Sequence, residues 1–134
     1  MSGIDVRHDG GDRFTLTVRG HELVVDQPVE DGGTDTAPTP VELLGASLAA
    51  CVAYYARRFL ARHGLQDGSL RVHCDMDFLD HPWRVGALRV RVDVPLELSD
   101  AECKALQRVV EHCTVHATLQ QPPEIRIDLL APVR

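Results

Sequence analysis

One long apolar helix constrains this chain more than any other feature. Thr39-Pro40-Val41-Glu42 joins an N-cap threonine, a proline at the first helical position and a glutamate three residues after the cap. This pattern is a capping box with the preferred proline. The helix should run to about His63, because Gly64 is a good C-terminal stop. Residues 43–56 are apolar nearly all round the helix, so it should be buried on most sides.

Alternating apolar and polar residues predict strands before and after this helix. Gly20-His21 separates two of them as a hairpin, and Asp80-His81-Pro82 joins another pair. The predicted strands span residues 4–8, 14–19, 22–25, 70–79, 85–96 and 124–130. Residues 26–40 are rich in Pro, Gly, Asp and Thr and should form a long loop.

Ser99-Asp100-Ala101-Glu102 is a second capping box. Its helix should carry an apolar stripe of Cys103, Leu106, Val109, Val110 and Cys113. Strands in adjacent pairs favour an α+β fold, with helices packed on largely antiparallel sheet, over a parallel α/β fold.

Length and charge restrict the classes of partner. The 134 residues fit one domain over the whole chain. The net charge is -6, with 14 basic against 20 acidic residues and no long basic run, which argues against nucleic acid as a partner. Arg57-Arg58 with Arg62 is the one dense basic spot, and we interpret it as a solvated helix face.

Residues 1–11 lack the apolar segment of a signal peptide, and no apolar stretch reaches the length of a membrane span. We therefore expect a cytoplasmic protein without a membrane partner.

Four cysteines, Cys51, Cys74, Cys103 and Cys113, carry the available chemistry. In a reducing compartment they are core residues, metal ligands or reactive thiols rather than a disulfide framework. Cys74 falls on the alternating face of Val72 and Met76 and should be core, and Cys103 could be a packing residue. Cys51 lies in mid-helix, away from the helix N-terminus that would stabilise a thiolate, so its reactivity needs a cation from elsewhere.

Two other kinds of site have little support. His112, Cys113 and His116 are close in sequence, and His73-Cys74 could complete a metal site. Structural zinc sites usually show Cys-x-x-Cys pairs, which this chain lacks, so we expect no metal or cofactor. A Ser-His-Asp hydrolase needs a Gly-x-Ser-x-Gly turn, whereas Ser47 lies within an apolar helix. The residues alone leave a peroxidase and a thiol-bearing binding domain both open.

Two segments resemble the OsmC/Ohr superfamily of osmotically inducible and organic hydroperoxide resistance proteins. Residues 38–51, Pro-Thr-Pro-Val-Glu-Leu-Leu-Gly-Ala-Ser-Leu-Ala-Ala-Cys, resemble its central helix, which carries the first reactive cysteine. His112-Cys113-Thr114-Val115-His116 resembles its second motif, where a cysteine follows a helix and precedes a short turn and a final strand. Residues 20–28 with Gly32-Gly33 look like its N-terminal hairpin and loop, and the order of elements matches along nearly the whole chain.

The resemblance implies an intertwined homodimer. Two long central helices would pack together under antiparallel sheets from both chains, with the active sites at the interface. A helix that is apolar all round in so small a domain fits this arrangement. The small residues would face the partner, namely Gly45, Ala46, Ser47, Ala49 and Ala50.

The resemblance also implies a thiol-dependent hydroperoxide reductase of the oxidative stress response. Cys51 would be the peroxidatic cysteine and Cys113 the resolving one, with a dithiol as reductant. An arginine stabilises the thiolate in the family, and Arg19 is the candidate, with Arg13 and Arg7 as alternatives.

The chain departs from the family pattern at two positions. The family's glutamate partner of the arginine lies ten residues before the first cysteine, where this chain has Val41. Glu42 is the candidate glutamate, but it is rotated about half a turn from Cys51, and its capping role explains it better. Thr114 stands where many members have proline. A non-catalytic domain that binds a ligand or senses redox state is the alternative function.

Overall fold

The computed structural model describes residues 3–65 and 69–134. Its contacts group into two compact units, Met1–Ala49 with His73–Arg91 and Ala50–Val72 with Val92–Arg134. The described elements are β1 (Asp5–Gly10), β2 (Arg13–Val18), β3 (His21–Val25), α1 (Pro40–Arg62), β4 (Arg71–Leu79), β5 (Arg84–Asp93), α2 (Asp100–Val110) and α3 (Thr114–Gln120). Helices together with antiparallel sheets confirm the predicted α+β class.

In the first unit, β1, β2 and β3 form an antiparallel sheet in that order. The β2–β3 register runs from Phe14 opposite Val25 to Val18 opposite His21. Two residues close this hairpin, Arg19 and Gly20, with φ of 49° and 80°. Positive φ at both positions matches a type I′ turn, whose twist suits the strands. The predicted hairpin is confirmed, but its turn lies one residue earlier than Gly20-His21, and His21 begins β3.

The loop after β3 is closed around a buried carboxylate. Asp26 is 1% exposed. It accepts hydrogen bonds from the Gln27 amide at 2.7 Å, from the hydroxyls of Thr34 and Thr36 at 2.8 and 2.6 Å, and from the Thr36 amide at 3.0 Å. Gly33 fits this turn because a Cβ there would collide with the Gln27 carbonyl and lie 2.8 Å from an Asp26 oxygen. The predicted long loop is therefore an ordered structure built on Asp26.

Asp26→Asn is expected to change the pH dependence of stability. The donors, led by the Thr36 hydroxyl, hold the pKa of Asp26 far below its usual value. A depressed folded-state pKa adds stability above the unfolded-state pKa of about 4, which is lost as pH falls toward the folded value. The variant should have a lower Tm than the wild type near neutral pH, and the deficit should shrink below about pH 4. Thermal unfolding across this range measures it. Asp31→Asn, at an exposed carboxylate of the same loop, is the control, and a pH-independent deficit in Asp26→Asn would contradict the expectation.

The ends of α1 lie where local signals predict them. The Thr39 hydroxyl accepts from the Glu42 amide at 3.0 Å, and the Glu42 carboxylate accepts from the Thr39 amide at 2.8 Å. At the other end Gly64 has φ of 68°. Its amide donates to Ala61 at 3.1 Å and the Leu65 amide donates to Leu60 at 2.8 Å, the pair of bonds that defines a Schellman motif.

Within this chain α1 buries one face. The buried positions are Gly45, Leu48, Val52, Ala56, Phe59 and Leu60. Ser47, Ala50, Tyr54 and Arg57 are exposed on the other side, so the single chain does not reach the predicted burial on most sides. Gly45 lies against β4, where an added Cβ would come within 3.1 Å of the Met76 sulfur. None of the described helices combines the length and apolarity that a bilayer crossing needs.

The second predicted hairpin forms, with a shorter second strand. The predicted strand over residues 85–96 ends at Asp93 in β5. Pro95 follows shortly and has no backbone N–H with which to continue a ladder. On β4, Val72, Cys74 and Met76 share the half-buried face, so the predicted alternation is confirmed, although Cys74 is only partly buried.

The C-terminal quarter differs from the prediction in two ways. α2 ends at Val110 and Cys113 is the N-cap of α3, so a third helix replaces the expected short turn. The strand predicted over residues 124–130 does not form within this chain: that segment has no regular structure, and Ile127 is 89% exposed. Alternation gives a segment strand propensity, but a strand also needs a free sheet edge to pair with.

Candidate active site

The structure brings together the two cysteines that the sequence singles out. Cys51 lies in the middle of α1 and is half-buried, while Cys113 begins α3 and is 0% exposed. Both belong to the second unit. Both are free thiols, and Cys51 is close enough to raise the pKa of the Cys113 thiol. The two thiols are therefore neighbours, which is the first condition for a disulfide between them.

The environment of Cys113 favours the protonated thiol. Burial is the main cause that raises its pKa, and the neighbouring Cys51 raises it further. The amides of His116 and Val115 oppose this shift. The His116 amide donates to the Cys113 sulfur at 3.3 Å because Cys113 caps α3. A buried sulfur with a raised pKa is a poor first nucleophile, whereas the amides would stabilise negative charge once it develops there.

Tyr55 ties the start of α3 to α1. It lies one helical turn after Cys51, so both side chains share a face of α1. Its hydroxyl lies 3.1 Å from the hydroxyl of Thr114, the residue next to Cys113. The sequence analysis missed Tyr55, and its spacing of four residues from Cys51 was the available signal. Tyr55 thus helps to position Cys113 beside Cys51.

A comparison with known proteins identifies the family of this chain. A model described as OsmC-like protein matches residues 33–128. The chain belongs to the OsmC-like protein family. No curated protein matches the sequence significantly.

Solved structures agree with the OsmC-like fold. A Psychrobacter arcticus protein named for osmotic stress induction and detoxification response is 22% identical, with a TM-score of 0.81 and 88% of each chain covered. An OsmC-like protein of Mycoplasma pneumoniae is 18% identical, with a TM-score of 0.75 and coverage of 91% of this chain and 89% of that one. The organic hydroperoxide resistance protein OsmC of Legionella pneumophila is 19% identical, with a TM-score of 0.67 and coverage of 90% and 89%. These likenesses confirm the predicted OsmC-like fold.

The other residues proposed for the OsmC-like site lie in the first unit. Arg19 is exposed in the β2–β3 turn. Of the alternatives, Arg13 donates to the Thr36 hydroxyl at 2.7 Å and Arg7 pairs with Asp9 at 3.6 Å. Glu42 makes the capping hydrogen bonds described above. Roles for Arg19 and Glu42 in catalysis stay predictions.

The two remaining cysteines differ from the pair in their surroundings. Cys103 is exposed on α2 rather than packed. Burial and the nearby Asp75 carboxylate raise the pKa of Cys74, which keeps it a thiol at neutral pH. Among residues 3–65 and 69–134, no three His, Cys, Asp or Glu side chains are grouped so that they could hold a metal ion.

Tyr55→Phe is expected to loosen the cysteine pair while keeping the ring. Loss of the hydroxyl removes a hydrogen bond worth about 1 kcal/mol. The larger effect should be slower formation of a Cys51–Cys113 disulfide after oxidant is added to the reduced protein, measured by thiol titration and mass spectrometry. Tyr54→Phe, at the neighbouring exposed tyrosine, should match the wild type. Equal rates for Tyr55→Phe and the wild type would show that the Thr114 bond does not position Cys113.

Proposed function

We propose that this OsmC-like protein is a thiol-dependent hydroperoxide reductase, with Cys51 as the peroxidatic and Cys113 as the resolving cysteine. The observation that carries the proposal is that the half-buried Cys51 thiol neighbours the buried Cys113 thiol closely enough to raise its pKa. The Legionella pneumophila relative named as an organic hydroperoxide resistance protein supports an organic hydroperoxide as the substrate.

The proposed reduction of the hydroperoxide has three steps. The Cys51 thiolate attacks the outer peroxide oxygen, the O–O bond breaks, and the alkoxide leaves and takes up a proton as an alcohol. Cys51 is then a sulfenic acid. The Cys113 sulfur attacks the Cys51 sulfur, a disulfide forms, and the sulfenic oxygen leaves as water. A dithiol reductant opens the disulfide by exchange and is itself oxidised to a disulfide.

The surroundings of each sulfur support this order of events. Cys51 is the more accessible of the two, so a peroxide reaches it first. Cys113 is shielded and has a raised pKa, which protects it from direct oxidation. When Cys113 loses its proton to attack Cys51, the amides at the start of α3 face the developing charge. The accessibility of Cys51 and the shielding of Cys113 therefore fit these two roles.

We also propose the homodimer that the family resemblance implies. The exposed side of α1 includes the small residues Ser47 and Ala50, which allow close approach of another helix. The C-terminal segment also exposes Ile125, Ile127 and Leu129 in the single chain. A second copy would cover both surfaces, and sedimentation equilibrium would give twice the chain mass.

The test is the reaction of the reduced protein with cumene hydroperoxide in stopped flow, followed by mass spectrometry of the cysteines. Fast consumption with a Cys51–Cys113 disulfide is expected. Reaction at the rate of a free thiol, or a disulfide that involves Cys74 or Cys103 instead, would contradict the proposal.

A second candidate is a non-catalytic domain that binds a small ligand. It is favoured by Val41 at the position of the family glutamate, together with the engagement of Glu42 in the helix cap. Its signature is a rise in Tm with ligand and no consumption of peroxide.

A further inference from the structure

A cleft of about 580 Å³ opens between the second half of α1 and α2, both within the second unit. Its polar lining consists of Tyr55, Arg58, Arg62, His63, Arg108 and His112. We infer that this cleft binds a small organic anion, in which an oxyanion headgroup is joined to an apolar body. Binding here needs neither thiol nor peroxide, so it goes beyond the proposed reductase.

The charge of the cleft is the first argument. Arg58, Arg62 and Arg108 bring three guanidinium groups to one opening, although the chain as a whole has a net charge of -6. Among residues 3–65 and 69–134, no Asp or Glu lines the cleft and none forms an ion pair with these arginines. Like charges repel unless an opposite charge lies between them. An anion in the cleft would provide that charge.

Two neighbouring groups, one acidic and one aromatic, leave this charge in place. Glu102 is close enough to His63 for a favourable charge interaction, but its carboxylate already accepts from the Ser99 amide at 2.9 Å in the α2 cap. The Arg58 guanidinium lies 5.4 Å from the centre of the Tyr54 ring. This cation–π contact orients the group without neutralising it. The arginines therefore remain available to a ligand.

The donors suit an oxyanion. Guanidinium groups present paired N–H donors that match carboxylate and phosphate oxygens. His63 and His112 each use Nδ1 to donate to a carbonyl four residues earlier, that of Phe59 and that of Arg108. These bonds fix the two rings and leave Nε2 as the other polar atom of each. Carboxylates and phosphate monoesters are the two headgroups that share this chemistry.

The volume of the cleft and its apolar side chains indicate a ligand that also has an apolar part. Phe59, Ala105 and Val109 add apolar surface to the cleft. The volume falls in the range of small-molecule sites, about 300–1,000 Å³, so an inorganic ion alone would fill little of it. A ligand that joins a charged head to an apolar part satisfies both kinds of surface.

Arg57 supplies a matched control for the arginines of the cleft. It is exposed and adjacent to Arg58 on α1, but it does not line the cleft. Arg58 also lies two turns beyond Cys51, or roughly 10 Å along the axis. The α1 arginines of the cleft therefore lie beyond Cys51, whereas Tyr55 is shared by the cleft and the surroundings of the cysteine pair.

The test is isothermal titration of the reduced wild type and of Cys51→Ser with octyl phosphate and with octanoate. Inorganic phosphate is the headgroup-only probe and octanol the body-only probe. We expect at least one amphiphilic anion to bind both proteins, and to bind more tightly than either partial probe. Arg58→Gln/Arg62→Gln should weaken that binding by about 10- to 100-fold, because it removes charged hydrogen bonds. Arg57→Gln should leave it unchanged.

Other results would overturn the inference. Absence of binding by both amphiphilic anions to the wild type would do so. Equal affinities for the wild type and the double variant would also do so, as would an equal loss in Arg57→Gln, which would indicate general surface charge. Because Cys51→Ser has no peroxidatic thiol, binding to it separates this inference from the reductase proposal. The ratio of the two affinities identifies the preferred headgroup.

Discussion

Replacement of Cys51 by serine is expected to abolish peroxide reduction, with a fall in rate of at least about 10³-fold. A serine hydroxyl stays protonated at neutral pH and cannot replace a thiolate as the attacking atom. Serine is close to cysteine in size, and Cys51 is only half-buried, so the fold should be retained. Consumption of cumene hydroperoxide in the presence of a dithiol measures the loss.

Two matched variants separate this effect from general loss of thiols. Cys103→Ser removes an exposed thiol outside the pair and should keep the wild-type rate. Cys113→Ser should react once with peroxide and then accumulate a sulfenic acid or more oxidised forms at Cys51. Full turnover in Cys51→Ser would exclude Cys51 as the peroxidatic residue.

The largest expected effect on stability comes from Leu60→Ala. Leu60 is 0% exposed on the buried face of α1, and its carbonyl accepts the Leu65 amide at the helix end. Truncation leaves a cavity and should lower the free energy of unfolding by about 2–5 kcal/mol. That is a large part of the roughly 5–15 kcal/mol of a typical domain.

Urea denaturation at one fixed protein concentration measures this change, because dimerisation would make stability depend on concentration. Leu119→Ala is the control, since it makes the same substitution at a leucine of the same unit that is 38% exposed. Its effect should be clearly smaller. Equal losses in the two variants would mean that burial of Leu60 does not govern its contribution.

Features set by local hydrogen bonding could be predicted from the sequence. The boxes at Thr39 and Ser99 and the stop at Gly64 each involve groups within a few residues of one another. The β2–β3 hairpin is also local, because its turn residues determine its register. These signals located α1, the start of α2 and most strands.

Features that depend on distant partners could not be predicted. Alternation over residues 124–130 indicates a strand but does not identify its pairing partner, and the segment pairs with none of the strands that the structure describes in the single chain. The sequence likewise gave no cap signal for α3, because cysteine is an unusual N-cap. The length of α2 was overestimated for the same reason, since Cys113 continues its apolar spacing.

The candidate site also includes features that could be predicted from the sequence and others that could not. Family resemblance supplied Cys51 and Cys113, and the structure makes them neighbours, since Cys51 raises the pKa of Cys113. The cleft was hidden because Arg108 is far along the chain from Arg58 and Arg62. The expectation of a solvated face holds for Arg57 and Arg62, which are exposed, whereas Arg58 is half-buried. Arg58 and Arg62 also line the cleft.

The cap formed by Cys113 has a consequence for how variants at this position should be chosen. One sulfur atom both begins α3 and is positioned to meet Cys51. α3 has seven residues, too few to be stable without outside support. Serine would keep an acceptor for the His116 amide and lose the thiol, whereas alanine would lose both. An alanine variant therefore loses the reactive thiol and the N-cap of α3 together. The difference between the serine and alanine variants measures how much Cys113 contributes as the cap of α3.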